Sequence, residues 1–297
     1  MTNKVVHAKA NAKINLALHV LGTRSDGLHL LDSLVAFPDY GDELIFEKSD
    51  HLRLSVVGPF GNQLLKDTSN LSNIITKAAN LLKGHNNGVA ITLIKNLPPS
   101  SGIGGGSSNA ATTLKILSKL WGKKMPDLNN LLKLGADVPV CLSNELQRMK
   151  GIGEKLTTLS PPPPMWIVLA NPGIRVSTEK IFKLLTCKEN KKLEPLFEIN
   201  NQDSFFAYLR RQRNDLESVT TTLFPEVRQM LELIMDTNDC KVCRMSGSGA
   251  TCFGLYSQQE DAIQAEQKIK ERFIGSWVVS AKLFSANSCH DVISYPA

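Results

Sequence analysis

The chain has 297 residues, 42% of them hydrophobic and 21% charged, with a formal net charge of +6. That length exceeds what one core usually organises, so two domains are expected, and no apolar run is long enough for a membrane span. The small positive surplus suits an anionic small molecule such as a nucleotide, and no basic run interleaved with aromatics points to nucleic acid.

The first residues, Met1-Thr2-Asn3-Lys4-Val5-Val6-His7, lack the long apolar region of a signal peptide, so the cytoplasm is the expected location. Over residues 11–20, Ile14, Leu16, Leu18 and Val20 alternate with Lys13, Asn15, Ala17 and His19, the period of a strand with one buried face. Lys13 and Asn15 share the other face, which either meets solvent or lines a cleft. Gly22 to Gly27 is a turn-rich connection, and Leu28 to Phe37 reads as a strand. After a turn at Asp39-Tyr40-Gly41-Asp42, a β meander continues through 43–48 and 52–57. Leu71, Ile74, Ile75, Ala78, Ala79 and Leu82 keep helical spacing, with Gly84 as the stop.

Val89, Ile91 and Leu93 alternate as a strand, and Ala110, Ala111, Leu114 and Leu117 are spaced as a helix ending near Gly122. Between them lies Leu97-Pro98-Pro99-Ser100-Ser101-Gly102-Ile103-Gly104-Gly105-Gly106-Ser107-Ser108-Asn109. Glycine lets a backbone approach a ligand closely, and the helix that follows adds unpaired N–H groups and the positive end of its dipole. Such a strand-to-helix loop is suited to phosphate. It lacks the Lys-Ser/Thr ending of a Walker A loop, and Ser107 stands where GxGxxG needs its third glycine. No His-Arg-Asp or Asp-Phe-Gly triplet occurs, which argues against a protein kinase.

Pro126 suits the first turn of another helix, ended by Gly135. Asp137 is then the lone charge in Ala136-Asp137-Val138-Pro139-Val140-Cys141-Leu142, either a cap or a carboxylate held in a cleft. Four consecutive prolines, Pro161 to Pro164, favour a stiff extended segment and suggest a division into 1–160 and 165–297. The second part reads as a strand at 166–170, a helix from Ser177-Thr178, helical segments at 203–217 and 225–236, strands at 240–246 and 250–256 about Gly247-Ser248-Gly249, a helix at 259–272 and a strand at 276–284. With the middle helices as an insertion the order is β-α-β-β-α-β, the ferredoxin-like arrangement. The six cysteines (Cys141, Cys187, Cys240, Cys243, Cys252, Cys289) are too scattered for a disulfide framework, and the single Cys240-Lys241-Val242-Cys243 lacks the second pair of a zinc ribbon.

Three stretches stand out in order: Ala12-Lys13-Ile14-Asn15-Leu16, Leu97 through Ala111, and Met245-Ser246-Gly247-Ser248-Gly249-Ala250. The set resembles the three motifs of the GHMP small-molecule kinases. Asp26-Gly27-Leu28-His29, Asp39-Tyr40-Gly41-Asp42, Gly135 to Pro139 and Gly151-Ile152-Gly153-Glu154 narrow the likeness to a branch that acts on a CDP-linked methylerythritol in the non-mevalonate isoprenoid route. The resemblance implies an α+β GHMP kinase fold, with a ribosomal-S5-like α/β N-terminal domain and a ferredoxin-like C-terminal domain. It implies ATP and Mg²⁺ as cofactors, with no metal ligands assigned, phosphorylation of the 2-hydroxyl of the methylerythritol part, and a monomer or weak dimer.

By that likeness, Pro98, Pro99, Ser100, Ser101, Gly102, Ile103, Gly104, Gly105, Gly106, Ser107 and Ser108 would cradle the ATP phosphates. Asp137 would accept the hydroxyl proton, Lys13 would hold Asp137 ionised and offset phosphate charge, and Asn15 would bond the alcohol or the catalytic pair. Aspartate is a weak base towards an alcohol, which a loose transition state tolerates because orientation matters more than proton abstraction. Leu28 stands where the family usually has a tyrosine stacked on cytosine, and leucine has no π face, so stacking there should weaken. His29 would read the base's polar edge, and Thr178 and Phe182 would line the other side, Phe182 being either that platform or a core residue. Ser246, Gly247, Ser248 and Gly249 would close over the phosphate loop; read alone, they are a hairpin turn. Two other readings are a GHMP kinase for a different small alcohol and, in another class, an RNA- or metal-binding module.

Overall fold

The structure is a computed structural model that describes residues 5–67, 72–84, 87–196, 199, 201–284 and 293–295. Leu71 and Cys289 lie outside the described residues. β1 (Val5–Asn11) and β2 (Ile14–Thr23) are separate strands. They part at Ala12 and Lys13 because those two backbone N–H groups bond Tyr40 O and Ile103 O, each at 2.9 Å, instead of continuing one ladder. β2 continues into β3 (His29–Ala36), and β4 (Gly41–Lys48) returns along β1. β5 (Arg53–Val57), α1 (Gly61–Asp67) and α2 (Ile74–Leu82) follow, then β6 (Val89–Ile94). The sequence pattern did not reveal β1 or α1.

α2 opens on Asn73, whose side chain accepts the Ile75 N–H at 2.9 Å, and buries Ile75, Ala78, Ala79 and Leu82 on one stripe. Each of its large aliphatic side chains contributes about 1.5–3 kcal/mol on burial. α3 (Gly105–Trp121) is bracketed by Gly104 and Gly122, both left-handed, and lies beside α2. α4 (Leu128–Leu134) starts at Leu128 rather than at Pro126, because Asp127 caps it through the Asn130 N–H and leaves Pro126 outside. β7 (Gln147–Gly151) and β8 (Lys155–Thr158) come next, then β9 (Met165–Asn171) and α5 (Thr178–Leu184), capped by Ser177.

The expected helix at 203–217 is two helices, α6 (Gln202–Arg211) and α7 (Glu217–Leu223). The segment between them leaves helical geometry to bond β2: Arg213 O accepts the Leu18 N–H, and the Asp215 N–H donates to Leu18 O. α8 (Pro225–Met235), β10 (Val242–Met245), β11 (Cys252–Tyr256), α9 (Gln259–Arg272), β12 (Trp277–Leu283) and β13 (Ile293–Tyr295) complete the order.

Three sheets result, in the orders β13-β1-β4-β6-β5, β2-β3-β7-β8 and β10-β11-β9-β12. The third is wholly antiparallel and has the ferredoxin-like strand order. α2 and α3 cover the first sheet around Ile75, Leu114, Leu93 and Phe46. Ile14 and Leu16 of β2 enter a core with Ile167, Leu169, Phe205 and Phe253, while Leu18 and Val20 enter another with Ile181, Val227 and Ile269. Every residue from Ile14 to Val20 is buried, so β2 is enclosed on both faces. Lys13 and Asn15 do share a side, but it is buried rather than solvated.

Candidate active site

The break between β1 and β2 delivers Lys13 to the centre of the molecule. Its side chain is 4% exposed, and Nζ lies 2.9 Å from Asn15 Oδ1 and 2.9 Å from Asp137 Oδ2. Asp137 follows Gly135, the C-cap of α4, and precedes the 3₁₀ turn Val140–Leu142. It is a carboxylate in a cleft: Lys13, Asn15 and Asp137 all line one cavity of about 620 Å³. Below them, burial and the neighbouring Asp137 push the Cys141 thiol up to about 12, so it stays protonated.

The glycine-rich loop forms the facing wall. Ser100, Gly102 and Gly104 have φ of 52°, 77° and 63°, left-handed at every second residue, and such alternation turns successive N–H groups toward one concavity. Intervening side chains are used to hold the loop down. Ser101 Oγ donates to Pro98 O at 2.6 Å, and Ile103 is fully buried in the core shared by the two halves. α3 then starts with no side-chain cap and no acidic residue in its first turn, leaving its N–H groups and dipole available to an anion. Pro98 through Gly102 and Gly104 through Ser107 line the cavity. Ile103 and Ser108 do not: Ser108 Oγ donates to Asn11 O at 2.5 Å and secures α3 to β1.

Close approach explains the glycines. A Cβ on Gly104 would stand 2.9 Å from Lys13 Cβ, so the loop rests against the lysine stem. A Cβ on Gly102 would meet Ser246 O at 2.6 Å and Gly249 O at 2.7 Å. The Ser246–Gly249 stretch is thus packed against the phosphate-type loop and is not a free hairpin tip. Ser246 Oγ donates to Gly102 O at 3.1 Å and accepts the Asn15 N–H at 3.1 Å. Asn214 holds the stretch from behind, donating to Met245 O and Gly247 O at 2.8 Å each.

From α5, Thr178 Oγ1 lies 2.8 Å from Ser248 Oγ, and Phe182 lines the wall. The His29 ring sits 4.7 Å from that of Phe182, and its Nε2 is buried without a partner. Burial and the charge of Lys188 hold the His29 pKa below its ordinary value. Leu28 is 48% exposed, and neither it nor His29 lines the cavity directly.

Sequence reading missed Lys95 and gave Asp42 no role beyond its motif. Lys95 Nζ is 2.5 Å from Asp42 Oδ2 with both side chains buried, and Asn109 Nδ2 donates to the same oxygen at 2.9 Å. The Asn96 and Leu97 N–H groups donate to Asp42 Oδ1 at 2.8 Å each, so one carboxylate anchors the entry to the glycine-rich loop. Burial pulls the Lys95 pKa down while Asp42 raises it. A signal was present: the alternation of Val89, Ile91 and Leu93 runs on to Lys95, a cation on the buried face. Cys243 in β10 and Cys240 before it are free thiols, and among the described residues no group of three or more His, Cys, Asp or Glu side chains could hold a metal ion.

Residues 73–145 match the family model described as GHMP kinases N terminal domain, and residues 193–275 match GHMP kinases C terminal. A 4-diphosphocytidyl-2-C-methyl-D-erythritol kinase of Cereibacter sphaeroides (strain ATCC 17025 / ATH 2.4.3) is 44% identical over 94% of this chain and 99% of its own. The chain belongs to the 4-diphosphocytidyl-2-C-methyl-D-erythritol kinase family of GHMP kinases. The kinase of that name from Ruegeria pomeroyi is 46% identical over 84% of this chain and 88% of its own length. A crystal structure of 4-(cytidine 5'-diphospho)-2C-methyl-D-erythritol kinase superposes with a TM-score of 0.75 at 29% identity, covering 94% of this chain and 99% of that one. Homoserine kinase from Cytophaga hutchinsonii, at 20% identity and a TM-score of 0.62, shares the GHMP kinase fold.

Proposed function

We propose that this GHMP kinase transfers the γ-phosphoryl group of ATP to the 2-hydroxyl of 4-diphosphocytidyl-2-C-methyl-D-erythritol, giving the 2-phosphate and ADP. The observation that carries the reading is the Lys13–Asp137 pair, which shares one cavity with the glycine-rich loop. Phosphoryl transfer asks a protein mainly for alignment and for positive potential around the moving group. Backbone N–H groups from Pro98 to Ser107, with the start of α3, would hold the ATP phosphates. Asp137 would orient the acceptor hydroxyl and take its proton as the bond to phosphorus forms. Lys13 would keep that carboxylate charged and offset the charge gathering on the transferred oxygens. On this assignment Asn15 acts on Lys13, its Oδ1 accepting from Nζ while its Nδ2 donates to Ser33.

On the α5 wall, Phe182 would cover one face of the cytosine ring. The unpartnered Nε2 of His29 would meet the base's polar edge, and Thr178 would complete that wall. Mg²⁺ is usually held by one or two carboxylates plus phosphate oxygens, and the donors here fit that pattern rather than a protein cage. The Ser107 hydroxyl and Asp137 are the side chains that would hold it, and when bound it neutralises phosphate charge. Five free cysteines among the described residues suit the reducing cytoplasm, where ATP is available.

The test is ADP release with the CDP-linked alcohol, mevalonate and homoserine in parallel, and phosphorus NMR of the product. Turnover confined to the CDP-linked alcohol, with a new 2-phosphate resonance, supports the reading. Turnover of mevalonate or homoserine alone would replace it with a GHMP kinase of another specificity.

A further inference from the structure

We infer that Ser33 is a positioning residue for phosphoryl transfer, acting on Lys13 through Asn15; the inference rests on the role of Lys13 given above. Ser33 lies in β3, opposite Leu18 of β2 and Met149 of β7, and is fully buried. It does not line the cavity, whereas Asn15 and Lys13 do. Its Oγ is 2.7 Å from Ala17 O and 2.8 Å from Asn15 Nδ2.

These two contacts fix a direction. A carbonyl oxygen only accepts, so the Ser33 proton is committed to Ala17, and the hydroxyl presents a lone pair to Asn15. The two ends of the Asn15 amide match in shape and differ in polarity, and only Nδ2 can donate to that lone pair. Oδ1 is then turned to Lys13 Nζ at 2.9 Å. Reversed, the amide would set its own N–H groups against a buried ammonium and its oxygen against another acceptor. The β2–β3 register shifts between Asn15 and Ala17, at the point where this relay is built. A second hydroxyl repeats the logic on the backbone side: Ser246 gives its proton to Gly102 O and accepts the Asn15 N–H. The Lys13 ammonium therefore takes its place from a chain that starts at a main-chain carbonyl and runs through Ser33 and Asn15.

The inference is tested by a cycle of Ser33→Ala, Asn15→Ala and the double variant, with Lys13→Ala as reference, reading kcat, the KM for ATP and the unfolding temperature. Ser33→Ala is expected to lower kcat by about 10- to 100-fold, the scale of a small misplacement of a reacting group, with little change in KM. In the Asn15→Ala background it should lower kcat no further, because the route to Lys13 is already cut. Ser33→Thr, which keeps the hydroxyl, should retain kcat. Ser33→Cys, with a weak donor and acceptor in nearly the same volume, is read in the same way if the alanine variant does not fold. Equal loss of kcat from Ser33→Ala in both backgrounds means a merely structural serine and overturns the inference. Normal kcat in Ser33→Ala beside collapse in Lys13→Ala overturns the inference alone. Normal kcat in Lys13→Ala removes the underlying reading and the inference with it.

Discussion

Lys13 and Asp137 form an ion pair of unequal burial: at a separation of 2.9 Å, the lysine side chain is 4% exposed and the aspartate 34%. The cation is the fixed element, held by Asn15 from below, and the carboxylate is the member that can reach a ligand. Lys13→Ala and Asp137→Asn should each lower kcat by at least about 100-fold, the lower range of what a positioned acid or base contributes. Both should fold. Without Lys13 the aspartate remains hydrated, and an asparagine at 137 can still accept from the ammonium. Turnover within a few-fold of the unaltered protein in either variant would remove that residue from the mechanism.

The Asp42–Lys95 pair is of a different kind, because both partners are buried and Asp42 also receives three further hydrogen bonds, from Asn96 N, Leu97 N and Asn109. Asp42→Ala strands a buried ammonium and frees the start of the glycine-rich loop. The expected cost is about 3–5 kcal/mol of stability, the usual result of removing one partner of a buried pair. Urea unfolding measures it, and a loss under about 1 kcal/mol would mean that water reaches Lys95.

Much of this was legible in the sequence, and the failures have physical causes. α2, β6 and α3 each bury one stripe or face, so period and caps revealed them. The strand expected at 11–20 starts at Ile14, and β1 before it went unread, because the break at Ala12-Lys13 is made by hydrogen bonds to Tyr40 and Ile103, residues remote in sequence. The helix at 203–217 was overextended for the same reason, since Leu18 captures the backbone around Arg213. That Lys13 and Asn15 share a side followed from alternation. That the side is buried did not follow, because enclosure of β2 depends on cores it shares with residues remote in sequence, Ile167 and Phe253 in one and Ile181 and Val227 in the other.

Gly102 offers a test of the contact between the glycine-rich loop and the Ser246–Gly249 stretch. Its φ is 77°, and an added Cβ would sit 2.6 Å from Ser246 O and 2.7 Å from Gly249 O, two backbone atoms with little freedom to move. Gly102→Ala should destabilise by about 1–3 kcal/mol from backbone strain alone. It should also raise the KM for ATP, because the displaced loop no longer aims its N–H groups together. Gly122→Ala, at a left-handed helix end with open space around it, should lose stability without changing that KM.

Phe182 separates nucleotide-donor from acceptor binding. It lies on α5 against His29 and lines the cavity from an element separate from the glycine-rich loop, so Phe182→Ala should raise the KM of the CDP-linked acceptor and leave that of ATP nearly unchanged. Stacking of a base on an aromatic ring contributes about 1–3 kcal/mol, and Leu28 offers no π face to compensate. An unchanged acceptor KM would return Phe182 to the role of a core residue.

His19 gives the protein an acid-sensitive joint. Its Nδ1 is 2.8 Å from Lys191 O and its Nε2 accepts the Arg213 N–H at 3.3 Å, a pattern that only the neutral ring can satisfy. Burial and the Arg213 charge lower its pKa, against the opposing pull of the Lys191 carbonyl, Asp215 and Asp32. A histidine whose folded pKa is lowered is more easily protonated when unfolded. Its contribution is therefore complete above the ordinary value of ~6.5 and is lost as pH falls from there through the folded pKa. Stability should drop between pH 7.5 and pH 5.5, and His19→Gln, which cannot titrate, should show a smaller drop over the same interval. Urea midpoints at the two pH values, for both proteins, decide it; parallel losses would place the acid sensitivity elsewhere, with His29 the next histidine of lowered pKa to replace.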